Sequence, residues 1–422
     1  MKKVLVRAPA LSMSGYGEQA RFVLAALMSR PDLYEVFIED VNWGKTGSVT
    51  SNSPLVNWIR QRILLNRQYA KFSKENRTQL SYDLSIQITI PNEWQKLAPV
   101  NIGHTAGIEC DRVTPQWVEL GNHMDKIITI SQHSKMVYES SAFEIHNHSK
   151  ESTTRLELNT PISYVGYNTR CIGEAQEEFE LNLETKFNFL SVSQLGPRKN
   201  TLNMLRWFIK EFHDDADVGL VLKTHYMNCS HLDSIETKNI LNAEISKHPE
   251  KKCKVYLLHG EMSEKEMCSL YRHPDIKSYL TFTHGEGFGL PIFEAVCNGL
   301  PVIAPNWSGH IDFLYAKQKK KGKEAIKPLF CKVPFILKPV QKEAIYKGLI
   351  EKESRWCFVE EMEAKQSMRK VRKNYSMYLS WAKKLQEHVL NNFSKEKQHQ
   401  KLIEEIESTG QQSDVDVGVV VL

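Results

Sequence analysis

Residues 284–305 read HGEGFGLPIFEAVCNGLPVIAP, and the local grammar of this stretch decides the fold. The run just ahead of it, residues 279–283, has strand character, and residues 292–298 have helical character. Between them Gly285, Gly287 and Gly289 let backbone N–H groups come close to a ligand. Pro291 suits the first turn of a helix, where a missing N–H costs nothing, and Gly299 supplies a left-handed stop before the next strand, residues 301–304. A strand, a glycine loop and a helix N-terminus in that order form an anion cradle. Glu286 stands in the loop, within reach of whatever the amides hold. Glu294 stands near the first turn, where a carboxylate can accept two hydroxyls of a ribose or simply favour the helix dipole.

The same alternation extends in both directions. Residues 187–193, 219–223 and 255–258 read as strands of one α/β series, with a helix over 201–212. An earlier series has strands at 3–7, 34–39, 84–90, 100–103 and 127–130, a helix over 18–29, and Ser131 as the N-cap of a helix through Tyr138. This βαβ rhythm predicts parallel sheets, and 422 residues suit two domains. Residues 144–186 lose periodicity and turn polar, which puts the interdomain crossing near their end. The lysine run KQKKKGK, 317–323, reads as a solvated loop, with a phosphate-rich partner as the sharper alternative. Residues 354–406 read as helical, and the tail from Ser408 as disordered.

Hydrophobic residues at 41% and charged residues at 25% match ordinary globular proteins, which disfavours disorder and membrane classes. The net charge of +5, from 55 basic and 50 acidic side chains, reads as a mild excess spread along the chain that suits anionic substrates. Eight cysteines without a CxxC pair point to reduced, buried thiols in a cytoplasmic protein. Residues 1–7 read as a first strand rather than a signal peptide, and no run of about 18 apolar residues predicts a transmembrane helix, so any membrane contact would be peripheral.

The Glu286 to Glu294 segment resembles the Glu-x7-Glu signature of the retaining GT-B glycosyltransferases of the glycosyltransferase family 4 type, including the Gly-Phe-Gly-Leu-Pro between the acids. The resemblance implies two Rossmann-like domains facing across a cleft, with C-terminal helices crossing back. Its boundaries would be an acceptor-side domain at 1–165, a nucleotide-sugar domain at 166–355, returning helices at 356–407 and a flexible tail at 408–422. It implies that Glu286 contacts the transferred sugar, that Gly287, Phe288, Gly289 and Leu290 hold sugar and phosphate, and that Glu294 binds the ribose. In SVSQLGPRKN, 191–200, Lys199 matches the family lysine that neutralises the leaving diphosphate, while Gln194 departs from the usual arginine. Arg198 either compensates or points to solvent, and Asn200 is a cap candidate. Lys223 ends a strand, where it either faces the phosphates or lies on the surface. The turn 259–262 is similar to the family's base-binding loop.

In the first half, the turn containing Gly15 and Gly17 matches the position of the family's donor-facing glycines. It also satisfies G-x-G-x-x-A, but residues 8–14 separate it too far from the strand for a dinucleotide fingerprint. NIGHTAGIECDRVTPQW, 101–117, places His104 and Glu109 at the cleft, as sugar or acceptor contacts, with a merely packed histidine as the alternative; Trp117 suits the core better. His146 and His148 lack a third ligand, and the family needs no metal ion or other cofactor. The expected donor is a UDP- or GDP-sugar. VRAPALSMSGYGEQARF and WGKTG also resemble glycosyltransferases of large tailed phages, which implies action in a host cytoplasm. Acceptors then include hydroxymethylated pyrimidines in DNA, beside saccharides, lipids and small molecules. A non-catalytic nucleotide-sugar module, an epimerase and a phosphorylase remain open alternatives.

Overall fold

Strands buried on both faces are rich in apolar side chains, and the first half supplies them, with buried polar residues such as Ser85, Gln87 and Asn101 among them. β1 (Lys2–Ala8), β2 (Tyr34–Asp40), β3 (Leu84–Gln87), β4 (Val100–His104) and β5 (Lys126–Thr129) pair in parallel. β6 (Phe143–Asn147) and β7 (Ser152–Leu156) form a separate antiparallel hairpin, and β8 (Ile162–Tyr164) closes the sheet in the order β2-β1-β3-β4-β5-β8. Four helices, α1 (Gly15–Met28), α2 (Pro54–Glu75), α3 (Pro115–Gly121) and α4 (Gln132–Ser140), complete this half. Ser131 caps α4 as expected, its hydroxyl accepting the Ser134 amide at 3.2 Å. The computed structural model describes residues 1–44, 46–147, 152–173, 180–320 and 323–410.

The second half repeats the plan. β9 (Phe187–Gln194), α5 (Thr201–Glu211), β10 (Val218–His225), α6 (His231–Ile245), β11 (Lys254–Leu258), α7 (Glu264–Arg272), β12 (Ile276–Leu280), α8 (Leu290–Cys297) and β13 (Val302–Pro305) alternate without interruption. A hairpin, β14 (Tyr315–Lys320) with β15 (Lys323–Pro328), precedes β16 (Cys331–Val333), which joins the second sheet at its edge. The order β11-β10-β9-β12-β13-β16 is that of a dinucleotide-type sheet, whose direction of winding reverses between β9 and β12. β17 (Ile336–Pro339) pairs with β18 (Arg355–Phe358). Then α9 (Glu361–Lys373) packs on α5, α10 (Tyr375–Asn392) on α8, and α11 (Lys395–Glu407) returns to α1 of the first domain. Leu402, Ile403 and Ile406 anchor that return, with Tyr34 donating to Glu407 at 2.6 Å.

Several expectations change. The lysine run is no solvated loop but two strands of the β14–β15 hairpin, although residues 321 and 322 lie outside the described residues. The aperiodic stretch contains β6, β7 and β8, while His148 and Ser149 fall outside the described residues. The C-terminal region opens with a strand, β18, before its helices; of the expected tail, residues 411–422 lie outside the described residues. Asn200 is not a side-chain cap. Its backbone is left-handed at φ 56°, and its amide donates instead to the Phe282 carbonyl at 3.1 Å. All eight cysteines are free, and all but Cys229 are buried. No helix among the described residues is long and apolar enough to cross a membrane.

Candidate functional site

In an open α/β sheet the loops leaving two strands that wind in opposite directions splay apart, and ligands enter the crevice between them. Here those loops leave β9 and β12, which is why residues 82 to 88 positions apart in sequence meet. Asn200 holds the first loop to the Phe282 carbonyl, and the Arg198 carbonyl accepts the His284 amide at 2.8 Å. Lys199 Nζ then lies 2.6 and 2.8 Å from the two carboxylate oxygens of Glu286. Arg198 donates to Glu286 at 3.1 Å and to the Gly285 carbonyl at 2.7 Å, and its other terminal nitrogen is 3.4 Å from Glu109 of the first domain. Ser308 accepts the Glu286 amide at 2.8 Å. Burial pushes the Glu286 carboxyl up, but Lys199 and Arg198 together outweigh it and hold the group down at about 2. Two cations and two carboxylates are therefore packed together, and the cations can exchange carboxylate partners for an incoming oxyanion.

Glu294, one residue beyond the first turn of α8, meets a different setting. The helix starts from Gly289 at φ 91° and stops at Gly299 at φ 71°, as its glycines require. The Glu294 side chain accepts from Tyr271 Oη at 2.9 Å and faces Arg170 Nε at 2.8 Å. Arg170 reaches across to Glu18 of α1 at 3.0 Å, and Arg21 holds the other oxygen of Glu18 at 2.5 Å. One guanidinium thus ties the two domains together. Burial raises the Glu294 carboxyl, with Arg170 and Tyr271 only partly opposing it. Glu294 lines a cavity of about 650 Å³ with Glu18, Arg21, Asn168, Met262 and Met267. Met262 brings the 259–262 turn to this cavity, while His259 is held by Asp233 at 2.8 Å.

The loop glycines have a second use. A Cβ on Gly285 would sit 2.2 Å from the Glu109 carbonyl oxygen, and one on Gly287 would sit 2.3 Å from that of Ala106. These two glycines let the second domain's loop touch the backbone of the first. Phe288 is buried against Tyr167, Phe293 and Phe313, Gly289 is buried, and Leu290 is partly so. In the first domain a Cβ on Gly17 would lie 2.0 Å from the Ser12 carbonyl oxygen, whereas Gly15 has open space around it.

His104 is fully buried, its Nδ1 against Gln19 and its Nε2 without a partner, and burial lowers it to about 3. Gln194 is exposed and donates to the Tyr226 carbonyl at 3.0 Å, away from Glu286. Lys223 is half-buried and donates to the Gly260 carbonyl, which also keeps it from Glu286. Trp117 is core. The fold therefore gathers Lys199, Arg198, Glu286 and Glu109, sets Glu294 at a neighbouring cavity, and leaves Gln194 and Lys223 apart. The second cation beside Glu286 is Arg198, which does not point to solvent. Sequence reasoning missed Arg170, Tyr271 and Ser308. Arg170 lies in an aperiodic stretch with no local signal, whereas Ser308 follows a strand end and was legible in principle.

No protein-family model matches the chain, and no curated protein matches it by sequence. Solved structures do match it in shape. HepE from Anabaena, solved in complex with UDP-glucose, superposes with a TM-score of 0.59 at 13% identity, covering 97% of this chain and 100% of that one. A glycosyltransferase from Rickettsia africae gives 0.60 at 13% identity, over 98% and 99% of the two chains. Sucrose-phosphate synthase from Thermosynechococcus elongatus gives 0.61 at 11% identity, over 96% and 98%. Likeness at such identities establishes architecture, and the architecture agrees with the two parallel sheets, the cleft and the returning helix described above: the chain has the GT-B fold.

Proposed function

We propose that this protein is a retaining glycosyltransferase that moves a sugar from a nucleotide diphosphate to an acceptor hydroxyl. The observation that carries the reading is the placement of Lys199 and Arg198 against Glu286 at the switch point, with Glu294 eight residues on at the edge of the 650 Å³ cavity. In this reading the nucleoside occupies the cavity, with its ribose on Glu294. The diphosphate lies toward Lys199, Arg198 and the amides of Phe288 and Gly289. The bond from the anomeric carbon to the diphosphate oxygen breaks while a bond to the acceptor oxygen forms on the same face. The acceptor proton passes to the departing diphosphate. Lys199 and Arg198 neutralise the charge that builds there, in a site dry enough to make each contact count. Glu286 holds the sugar and keeps both cations oriented, and no metal ion is needed.

The similarity to a structure solved with UDP-glucose supports a UDP-sugar as donor. The acceptor classes are a saccharide, a lipid, a small molecule or a hydroxymethylated pyrimidine in DNA, and a screen of transfer onto each separates them. The test is a panel of UDP-, GDP- and ADP-sugars read first by thermal stabilisation and then by transfer. One donor should raise the melting temperature, by about 2.7 kcal/mol of stabilisation at a hundredfold excess over Kd. Glu294→Ala should weaken that shift and Glu286→Ala should abolish transfer. If no sugar nucleotide stabilises the protein, the reading is wrong.

A further inference from the structure

Against the loop that carries Arg198 and Lys199 lies a second cavity, of about 400 Å³, which shares no lining residue with the 650 Å³ cavity. Leu195 and Pro197 of the loop, Leu202 of α5 and Ile240 of α6 give it apolar walls. Leu202 and the ring of Tyr226 are exposed and form its mouth. Its polar side chains are mostly spent on one another. Arg206, the one cation among the lining residues, is held in a fork by Glu244 at 3.1 and 3.0 Å and donates to Asn203 at 2.8 Å. Asn203 donates to Asn200 at 2.7 Å, and Asn200 to the Phe282 carbonyl at 3.1 Å. With its single cation paired, the cavity has no surplus charge for an anion, unlike the Lys199 and Arg198 pair.

Gln341, which lines the same cavity just beyond β17, is the exception. His284 Nδ1 lies 2.6 Å from the Cys357 carbonyl, which can only accept, so Nδ1 carries the imidazole proton and Nε2 is an acceptor. Burial lowers the imidazole to about 4, which keeps it neutral at ordinary pH. The Gln341 amide nitrogen, 3.0 Å from Nε2, is therefore the donor of that pair, and the orientation of the amide is fixed. The amide oxygen is buried and has no partner among the described residues. An unpaired buried acceptor costs free energy that an arriving N–H or O–H recovers.

We propose that this cavity binds a small, uncharged aromatic molecule with one N–H or O–H donor, the donor on Gln341 Oε1 and the ring against Pro197, Leu202 and Tyr226. A nucleobase carries several donors and acceptors, for which these walls hold no further open side-chain partner, and a phosphate finds no unpaired cation. Pro197 directly precedes Arg198, and Gln341 holds His284, whose amide donates to the Arg198 carbonyl at 2.8 Å. An occupant therefore bears on the switch-point loop twice, directly at Pro197 and through Gln341 at His284.

The test is an NMR titration of the full chain, methyl-labelled at isoleucine and leucine, with indole and separately with phenol, and with uridine and adenine as controls. No sugar nucleotide is present, so the outcome is independent of the proposed transfer reaction. Indole or phenol should shift the Ile240, Leu195 and Leu202 methyl signals saturably, with a Kd of about 1 mM or below, the scale for so few non-hydrogen atoms. Gln341→Leu should weaken binding by about fivefold, the scale of one hydrogen bond, and Leu202→Trp, which fills the mouth from an exposed position, should abolish it. Hydrogen exchange at the His284 amide should slow when the cavity is occupied. No saturable shift with either probe, equal binding by wild type and both variants, stronger shifts of the same signals by uridine or adenine, or unchanged exchange at His284 would each overturn the proposal.

Discussion

The two walls of the cleft solve opposite problems. The second-domain wall is crowded with charge, where Glu286 is compensated by Lys199 and Arg198. The facing wall of the first domain brings Glu18, Arg21 and Glu109, and beside them buried polar atoms that lack protein partners, Gln19 Oε1, His104 Nε2 and His133 Nε2. Unpaired buried polar atoms cost free energy in a finished core. Such atoms can take up groups that arrive from outside, whereas the cations beside Glu286 are already paired, Arg198 also with Glu109 of the first domain, and must exchange partners to bind. In the proposed reaction the difference divides charge stabilisation from hydroxyl recognition between the domains, and each substitution below either breaks that division or makes it sharper.

The largest effect is expected on the charged wall. Glu286→Gln should lower the transfer rate by about 10²- to 10³-fold, the scale of losing one preorganised electrostatic group. It should also lower stability at neutral pH. The Glu286 carboxyl titrates near 2, below its ordinary value, so its contribution is full above the usual carboxylate range and fades as pH falls toward 2. Glu294 has the opposite sign: its raised carboxyl makes the ionised form a cost at neutral pH, which is relieved once pH drops below that raised value. Melting curves of Glu286→Gln and Glu294→Gln should therefore differ most near pH 7 and converge toward pH 3. Parallel curves at every pH would mean that the two glutamates share one environment after all.

Next comes the residue that joins the walls. Arg170→Ala leaves Glu18 and Glu294 facing each other without their shared cation, and should cost about 2 kcal/mol, less than a fully buried pair because Arg170 is partly exposed. Donor affinity should fall with it, since Glu294 loses its orientation. A double-mutant cycle of Arg170→Ala with Glu18→Ala measures how much of that cost crosses between domains, and a zero coupling energy would remove Arg170 as the link.

How far each wall was legible from sequence follows from how it is assembled. The second-domain wall comes largely from one contiguous stretch, 279–305, in which strand, glycines, Pro291 and helix stop are adjacent letters, while Lys199, Arg198, Tyr271 and Ser308 arrive from elsewhere. The first-domain wall is gathered from residues near 14–22, 104–111 and 131–134, with Arg170 from the crossing, and only the topology brings them together. Arg170 lies in a stretch without periodicity, so nothing local marks it. Asn200 misled because its short amide is spent on the Phe282 carbonyl rather than on its own helix. The lysine ribbon misled because its strands carry no apolar face of their own and depend on a root formed by Ala316, Tyr315 and Phe330.

On the first-domain wall the effects should be smaller. His104→Phe removes the unpartnered Nε2 and also Nδ1, the partner of buried Gln19, and should reduce kcat/KM for the acceptor by about tenfold while costing about 1–3 kcal/mol of stability through the unpaired Gln19 amide. Burial holds His104 near 3, so it stays neutral across the working range and contributes no inflection to the rate profile between about pH 5 and 8. A wild-type inflection in that window that vanished in His104→Phe would make this wall an acid–base partner and undo the division.

The smallest effect should come at Gly15, and it separates a ligand-facing glycine from a structural one. Gly17 lies in the first turn of α1 with its amide on Ser14 Oγ at 3.1 Å, and a Cβ there would collide with the Ser12 carbonyl oxygen at 2.0 Å, so its glycine is demanded by the fold alone. Gly15 has no atom within 4 Å of such a Cβ and no left-handed backbone, so packing does not demand a glycine. Gly15→Ala should therefore leave the melting temperature unchanged, or raise it slightly through the reduced entropy of the unfolded chain. If the turn approaches the donor phosphates, the same methyl group enters their space, and donor affinity should fall by a few-fold while stability does not. Unchanged donor affinity with unchanged stability would take the α1 turn out of the site and leave the phosphates to the second-domain wall, which is the division between the walls in its strictest form.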